Sequence, residues 1–498
     1  MTTSRAVVLA APRPLGTALR FRSWRSVSAA GHFACRIARW CGALGAMTHG
    51  EVLVLGGGAA GLAAANTAHR AGMRVTLVSE GAPGGDCTFT GCVPSKTLIE
   101  AADAGPSFSE AVARGRRTVS RVAATEDEHV LRSEGIDVVR GRARFVAERA
   151  VEIDGHRRSA RRVVLATGAR PAVPPVPGLG EVEYLTSDTV FDLVDPPTSL
   201  VVLGGGPVGC ELAQALARLG VGVTLVERAP RLLPGVDAEA SEALARALRT
   251  DGVRLRTGAP VRRVRSSDGK ILVELADGEA VRGERLLVAT GRRPNTEGIG
   301  LDTVGVRTDR QGHVLVDRHM ATTARGVSAA GDVTGVFGHT HAAYAMGRVA
   351  VLAGTRRTRR PAFEPDSVPR VVFTSPEVAT VGRAEHELAD TAARTAYLPM
   401  SEVDRAVTAD AEAGVVKLFA GPRGPLGHLG GGRVLGASIV ARRAGEMIHE
   451  PALAMRTGMF AGRLAQTVHA YPSWSMAVQR AAAQFVGTHG GRTARPAG

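Results

Sequence analysis

Lysine is nearly missing from this chain: Lys96, Lys270 and Lys417 are the three in 498 residues. The formal charge of +15 is therefore almost entirely arginine, spread along the chain with abundant alanine and glycine. Aromatic residues are scarce too, at 4%, and no basic block interleaves with them. A nucleic-acid surface needs a clustered basic face, so nucleic acid is excluded as a main partner. No run of eighteen apolar residues occurs, so no membrane-spanning helix is expected, and a cytoplasmic location follows as the expectation. Five cysteines are far too few for a secreted disulfide scaffold. No Cys or His pair has zinc-finger spacing, and no metal site is expected.

What remains is an ordinary globular composition, 44% hydrophobic and 22% charged, long enough for three or more domains. The first 46 residues stand apart. They carry Arg5, Arg13, Arg20, Arg22, Arg25, Arg36 and Arg39 and no acidic residue, a composition shared with transit peptides. Met47 lies just before the first strand-like run, so an extension from an upstream start is the simpler reading. The short apolar run AVVLAAP breaks at a proline and does not make a secretory signal.

Two segments repeat each other. EVLVLGGGAAGLAAANTAHRAGMRVTLVSE (51–80) and LVVLGGGPVGCELAQALARLGVGVTLVER (200–228) each read as strand, glycine turn, alanine-rich helix and second strand. Both carry G-x-G-x-x-G, as Gly56, Gly58, Gly61 and as Gly204, Gly206, Gly209. The first glycine permits the turn, the second admits a pyrophosphate, and the third lets helix and strand pack. The phosphate sits on the helix N-terminus, where free N–H groups and the dipole favour an anion. Glu80 and Glu227 close the second strands, where a carboxylate binds both hydroxyls of an adenosine ribose. One such fingerprint is weak evidence. Two, each in its strand–turn–helix context, predict two dinucleotide sites.

A second repeat follows each unit. RVVLATGARP (162–171) and RLLVATGRRPN (285–295) run a buried strand into a glycine turn, marking Thr167, Gly168 and Gly291. GVSAAGDVTG (326–335) presents Gly331 and Asp332, the latter placed to hydrogen-bond a polyol. From about residue 366 the glycine fingerprints stop, and strands with helical stretches indicate a separate α+β domain. The expected organisation is an N-terminal extension (1–46), a first dinucleotide domain in two parts (47–195 and 299–365), a second (196–298), an interface domain (366–485) and a disordered tail (486–498). The fold class is α/β, with two Rossmann-like domains plus the C-terminal α+β domain.

The stretch GGDCTFTGCVPSK (84–96) holds Cys87 and Cys92. In an ideal helix an i, i+5 pair has Cα atoms about 8.7 Å apart, beyond the roughly 7 Å limit for a disulfide. Bridging requires a distorted backbone, which Gly91 permits. Pro94 suits the first turn of a following helix, and a thiolate is stabilised at such an N-terminus. Redox pair, metal ligands and inert core thiols are the three readings. The metal reading lacks partner ligands, and the core reading leaves the glycines and proline unexplained.

Taken in order, the fingerprint, C-x4-C-V-P-S-K, A-T-G, second fingerprint, A-T-G-R-x-P-N and A-A-G-D resemble the FAD-dependent pyridine nucleotide–disulfide oxidoreductases. That family includes dihydrolipoamide dehydrogenase, glutathione reductase and mercuric reductase. The resemblance spans about residues 50 to 485. It implies FAD on the first fingerprint with Glu80 and Asp332, and NAD(P)H on the second. It also implies electron flow from nicotinamide through flavin to a Cys87–Cys92 disulfide. Cys92 would be the thiolate beside the flavin and Cys87 the outer thiol. Lys96 and Glu211 match an ion pair beside the flavin, and the C-terminal domain would form a homodimer that completes the partner's site. Glu227 favours NADH over NADPH, with Arg228 and Arg231 as the competing phosphate ligands.

The chain departs from the family where disulfide-reducing members carry H-x-H-P-T-x-x-E. It reads HAYPSWSM (469–476), so His469 and Pro472 match, Tyr471 replaces the base histidine and Met476 its glutamate. Tyrosine, with a pKa near 10, is a poor base at neutral pH, and losing a general base costs about 10²- to 10⁴-fold. A tyrosine here resembles mercuric reductase, in which soft thiolates hold the metal. Yet no cysteine follows Cys210, so the C-terminal metal-passing pair of that enzyme is missing. Thr88, Phe89 and Thr90 also differ from the usual stretch between the cysteines. The expected activity is NAD(P)H oxidation with a small disulfide, a thiol-bound metal ion or a quinone-like compound as acceptor. A dihydrolipoamide dehydrogenase using His469 and a flavin-bound redox sensor are the alternatives.

Overall fold

The strand Glu51–Leu55 is apolar because it is covered on both sides: it pairs in parallel with Arg74–Ser79 and with Arg162–Leu165. This computed structural model describes residues 51–498 apart from 106, 149 and 356–359. The first sheet runs Val327–Ala329, Arg162–Leu165, Glu51–Leu55, Arg74–Ser79, Asp137–Arg140, all parallel. Parallel strands need crossovers and are buried on both faces, hence their continuous Val/Leu runs. The helix Ala59–Arg70 crosses close to the helix Thr340–Thr355. A methyl on Gly347 would lie 2.3 Å from the Ala60 carbonyl oxygen, so small residues set that spacing.

The second repeat builds a second parallel sheet in the order Arg254–Arg256, Gly222–Val226, Ser199–Leu203, Arg285–Val288, Leu185–Thr186. Its helix Pro207–Arg218 starts with proline in the first turn and buries Leu212, Ala213, Ala215 and Leu216. The C-terminal segment forms a six-stranded antiparallel sheet in the order Arg370–Val372, Glu377–Gly382, Arg433–Ala441, Val415–Gly421, Arg394–Pro399, Arg495–Pro496. The α/β class with a C-terminal α+β part is what the repeats imply.

Two features differ from the expectation or escaped it. The tail does not hang free: Arg495–Pro496 pairs with the Arg394–Thr395 end of the strand Arg394–Pro399. Ala497 is buried with Leu388, Ala393 and Phe419. An apolar alanine beside an unfilled sheet edge has somewhere to go, and composition alone hides that. Lys417, in mid-strand and 1% exposed, reaches Glu239 at 3.1 Å and also Glu385. It ties the helix Ala238–Thr250 to the six-stranded sheet. The extension 1–46 lies outside the described residues. No helix among the described residues is long and apolar enough to cross a membrane.

Candidate active site

Both glycine turns are held by close approach. A Cβ on Gly56, at φ +113°, would lie 2.1 Å from the Ala166 carbonyl oxygen, and one on Gly61 would lie 1.8 Å from that of Gly56. The second turn repeats this with Gly204 (φ +112°) against Ala289 at 2.4 Å and Gly209 against Gly204 at 1.9 Å. The middle glycines behave differently. Around Gly206 a Cβ would meet nothing, and around Gly58 it would meet only the Gly85 Cα at 3.9 Å. So the first and third glycines serve the fold, while the second keeps an open face toward the helix N-terminus. Open backbone at a helix N-terminus fits a pyrophosphate, as in FAD or a nicotinamide dinucleotide.

The two A-T-G turns interlock. Thr167 Oγ1 donates to the Asn295 carbonyl at 2.8 Å, and Asn295 Nδ2 donates to the Thr167 carbonyl at 2.9 Å. Arg292–Pro294 pairs antiparallel with Ala169–Pro171. This stitches the strand ends of the two sheets around one cleft of about 2550 Å3. Gly56, Gly58, Glu80, Thr167, Gly168, Gly331 and Asp332 line one part of it. Gly204, Gly206, Glu227 and Gly291 line it as well, as do Cys87, Cys92, Lys96 and Glu211. Gly61 and Gly209 sit behind, in the helix–strand contacts.

The cysteine loop folds as two short helical pieces broken at Gly91. Gly85–Phe89 carries Cys87, and Cys92–Ala104 begins at Cys92. Gly91 has non-helical angles (φ −118°, ψ −113°), and a Cβ there would fall 2.7 Å from the Asp86 carbonyl oxygen. The helical backbone is thus broken between the two cysteines. Both cysteines are free thiols here. Cys92 Sγ lies 3.2 Å from Thr340 Oγ1, at the start of the helix Thr340–Thr355. The Cys92 pKa is pulled down to about 6, first by the Cys87 hydrogen bond and then by Thr340 and Lys96, against burial. Cys87 moves the opposite way, raised chiefly by that shared hydrogen bond and by burial. These shifts favour the thiolate form at Cys92 and the thiol form at Cys87.

Lys96 Nζ meets Glu211 Oε2 at 2.8 Å and lies 4.7 Å from the Phe373 ring centre. Glu211 is 5% exposed, and its other oxygen accepts the Phe373 main-chain N–H at 2.9 Å. It is therefore a fixed, buried carboxylate and not a solvated helix charge. Glu227 accepts from the Gly205 and Ala229 N–H groups, each at 2.6 Å. Glu80 stays open, 71% exposed, with Arg142 at 3.7 Å. Asp332 follows Gly331 (φ +82°), and burial raises its pKa.

His469 and Tyr471 are not on this cleft. The His469 residue is partly buried, its Nε2 2.9 Å from Glu450 Oε2 and its Nδ1 2.9 Å from the Thr467 carbonyl. Tyr471 is 69% exposed and precedes a cis proline, Pro472. Its pKa is raised, first by its hydrogen bond to Asp404. Sequence reading missed Arg292, which pairs with Asp86 beside Cys87 and, through Nε, with Asp332 at 3.3 Å. Its place in the A-T-G-R-R-P-N motif was the available signal. Thr340 carried no signal, since its role depends on a contact 248 residues away.

Comparison with known proteins matches these features. The family described as pyridine nucleotide-disulphide oxidoreductase matches residues 50–347, and its dimerisation domain matches residues 368–482. A mercuric reductase of Staphylococcus aureus is 34% identical over 459 residues, covering 87% of this chain and 82% of that one. A glutathione reductase of Burkholderia cepacia is 33% identical over 430 residues, covering 82% and 92%. Among solved structures, a Cu(II) complex of the HOCl-induced flavoprotein disulfide reductase RclA from Escherichia coli superposes with a TM-score of 0.80 at 28% identity. That match covers 88% of this chain and 99% of RclA.

Proposed function

The chain belongs to the pyridine nucleotide–disulphide oxidoreductase family, and from that premise we propose that it oxidises NADH and reduces a thiol-bound metal ion at the Cys87–Cys92 pair. It is a pyridine nucleotide-dependent flavoprotein oxidoreductase with a dimerisation domain. The acceptor, the preference for NADH, the homodimer with shared sites and the residue roles are this proposal. The free Cys87 and Cys92 thiols, which line the same cleft as both glycine turns and sit on either side of the backbone break at Gly91, are the observation that carries it.

Bound FAD would supply the two-electron relay between nicotinamide and the cysteines. Gly56, Gly58, Glu80, Thr167, Gly168, Gly331 and Asp332 would hold it, and Gly204, Gly206, Glu227 and Gly291 would hold NADH. Glu227, fixed by two main-chain N–H groups, places a negative charge where a 2′-phosphate would sit and so disfavours NADPH. Lys96, oriented by Glu211, keeps a positive charge at the cleft floor beside Cys92. Cys87, the outer thiol, would meet the acceptor and release its proton on binding it, and Cys92 would close on the acceptor as the thiolate beside the flavin. For a divalent ion the balance is NADH plus M2+ giving NAD+, a proton and M0.

A metal acceptor is favoured over a disulfide by Tyr471 and Met476, which remove the histidine–glutamate acid–base pair. The proposal is tested by NADH oxidation with Hg(II) held in excess thiol. Turnover is expected in the native protein and is lost in Cys87→Ser and Cys92→Ser; a Cys92→Ser variant of full activity would overturn it.

A further inference from the structure

Cys87 borders the cleft, but Glu126 and Tyr344, which stand beside its loop, are not among the residues lining that cleft. Glu126 is half-buried, and its carboxylate is held by two neutral hydroxyls. Thr88 Oγ1 donates to Oε2 at 3.0 Å, and the Tyr344 hydroxyl donates to Oε1 at 3.4 Å. Thr88 is the neighbour of Cys87 and one of the residues that set this loop apart. Tyr344 lies one turn along the helix from Thr340, the partner of Cys92. Adjacent acids are already engaged: Asp127 caps the helix Glu128–Ser133, and Glu128 pairs with Arg132 and Arg140. Among the described residues no lysine or arginine pairs with Glu126, so its charge stays uncompensated beside the outer thiol.

We propose that Glu126 is a specificity-determining residue that gives the outer face of Cys87 a negative potential, so the acceptor this thiol meets is cationic or carries cationic ligands. Anionic disulfides are repelled from that face. An unpaired carboxylate in a half-buried, low-dielectric position acts at longer range than a surface ion pair. It also favours the protonated form of Cys87, which is raised in part by Glu126 itself, so attack on a disulfide is slowed as well. The inference deepens the metal-acceptor reading and rests on it for the identity of the acceptor, but not for its test.

The test reads charge selectivity at Cys87 without turnover. Every form is tested in a Cys92→Ser background, so that no neighbouring thiolate expels the label. The reduced holoenzyme is labelled with 2-aminoethyl methanethiosulfonate, a cation, and with 2-sulfonatoethyl methanethiosulfonate, an anion. Modification of Cys87 is followed by peptide mass spectrometry. The form with native Glu126 should favour the cation, and Glu126→Gln should cut the cation-to-anion rate ratio by about tenfold. Tyr344→Phe, which keeps the charge, should leave the ratio within about twofold of native. An unchanged ratio in Glu126→Gln, or an equal fall in Tyr344→Phe, would overturn the proposal. Failure of the metal-acceptor reading would appear separately, as absence of Hg(II)-dependent NADH oxidation with the labelling ratio intact.

Discussion

Glu211 Oε2 stands 2.8 Å from Lys96 Nζ, and its second oxygen takes the Phe373 N–H at 2.9 Å, so one buried carboxylate joins the redox helix, the second dinucleotide unit and the C-terminal domain. Lys96→Met leaves that carboxylate with a single donor. Because Lys96 is 32% exposed, the stability loss should be about 1–3 kcal/mol, below that of a fully buried pair. Flavin reduction by NADH should slow at least tenfold. Denaturant titration and stopped-flow absorbance check the two effects.

The Cys92 thiolate should persist well below the ordinary thiol range. Its pKa of about 6 means that the long-wavelength absorbance of the reduced, FAD-loaded protein is present at pH 7 and fades as pH falls through about 6. Cys87→Ser weakens the hydrogen bond that stabilises the thiolate most, and Thr340→Val removes another. Both variants should move the midpoint upward. A pH titration of the band reads this directly.

Tyr471→His combined with Met476→Glu should restore an acid–base pair. Lipoamide-dependent NADH oxidation should rise about 10²-fold or more. The Hg(II)-dependent rate should change little. Steady-state assays with both acceptors check the prediction.

The glycines of the first fingerprint should separate by role. Gly61→Ala puts a methyl 1.8 Å from the Gly56 carbonyl oxygen, so poor folding is expected. Gly58→Ala meets nothing closer than 3.9 Å in the protein, so the chain should fold but bind FAD weakly. The ratio of flavin to protein absorbance, beside a thermal melt, distinguishes these outcomes.

Much of this was legible because local chemistry dictates it. Gly56 and Gly204 are required by backbone approach, and the Val/Leu runs around them by burial on both faces. The Lys96–Glu211 pair was readable as a pattern, although 115 residues separate its members. Other features were not. Glu126, Tyr344 and Thr340 meet the cysteine loop only through tertiary packing, and nothing in their immediate sequence signals it. Lys417 reads as an ordinary strand lysine until Glu239 and Glu385 are seen around it. The tail was misjudged because its glycine-rich composition conceals Ala497, which fills a small apolar pocket.

The central claim is that electrons leave through the Cys87–Cys92 pair to a metal-type acceptor, and one anaerobic experiment tests it most directly. The FAD-loaded protein is reduced with one equivalent of NADH, and the visible spectrum is recorded. Thiol-complexed Hg(II) and lipoamide are then added to separate samples. The account predicts a long-wavelength band, discharged quickly by Hg(II) and hardly by lipoamide. Fast discharge by lipoamide, or no band on reduction, would contradict it.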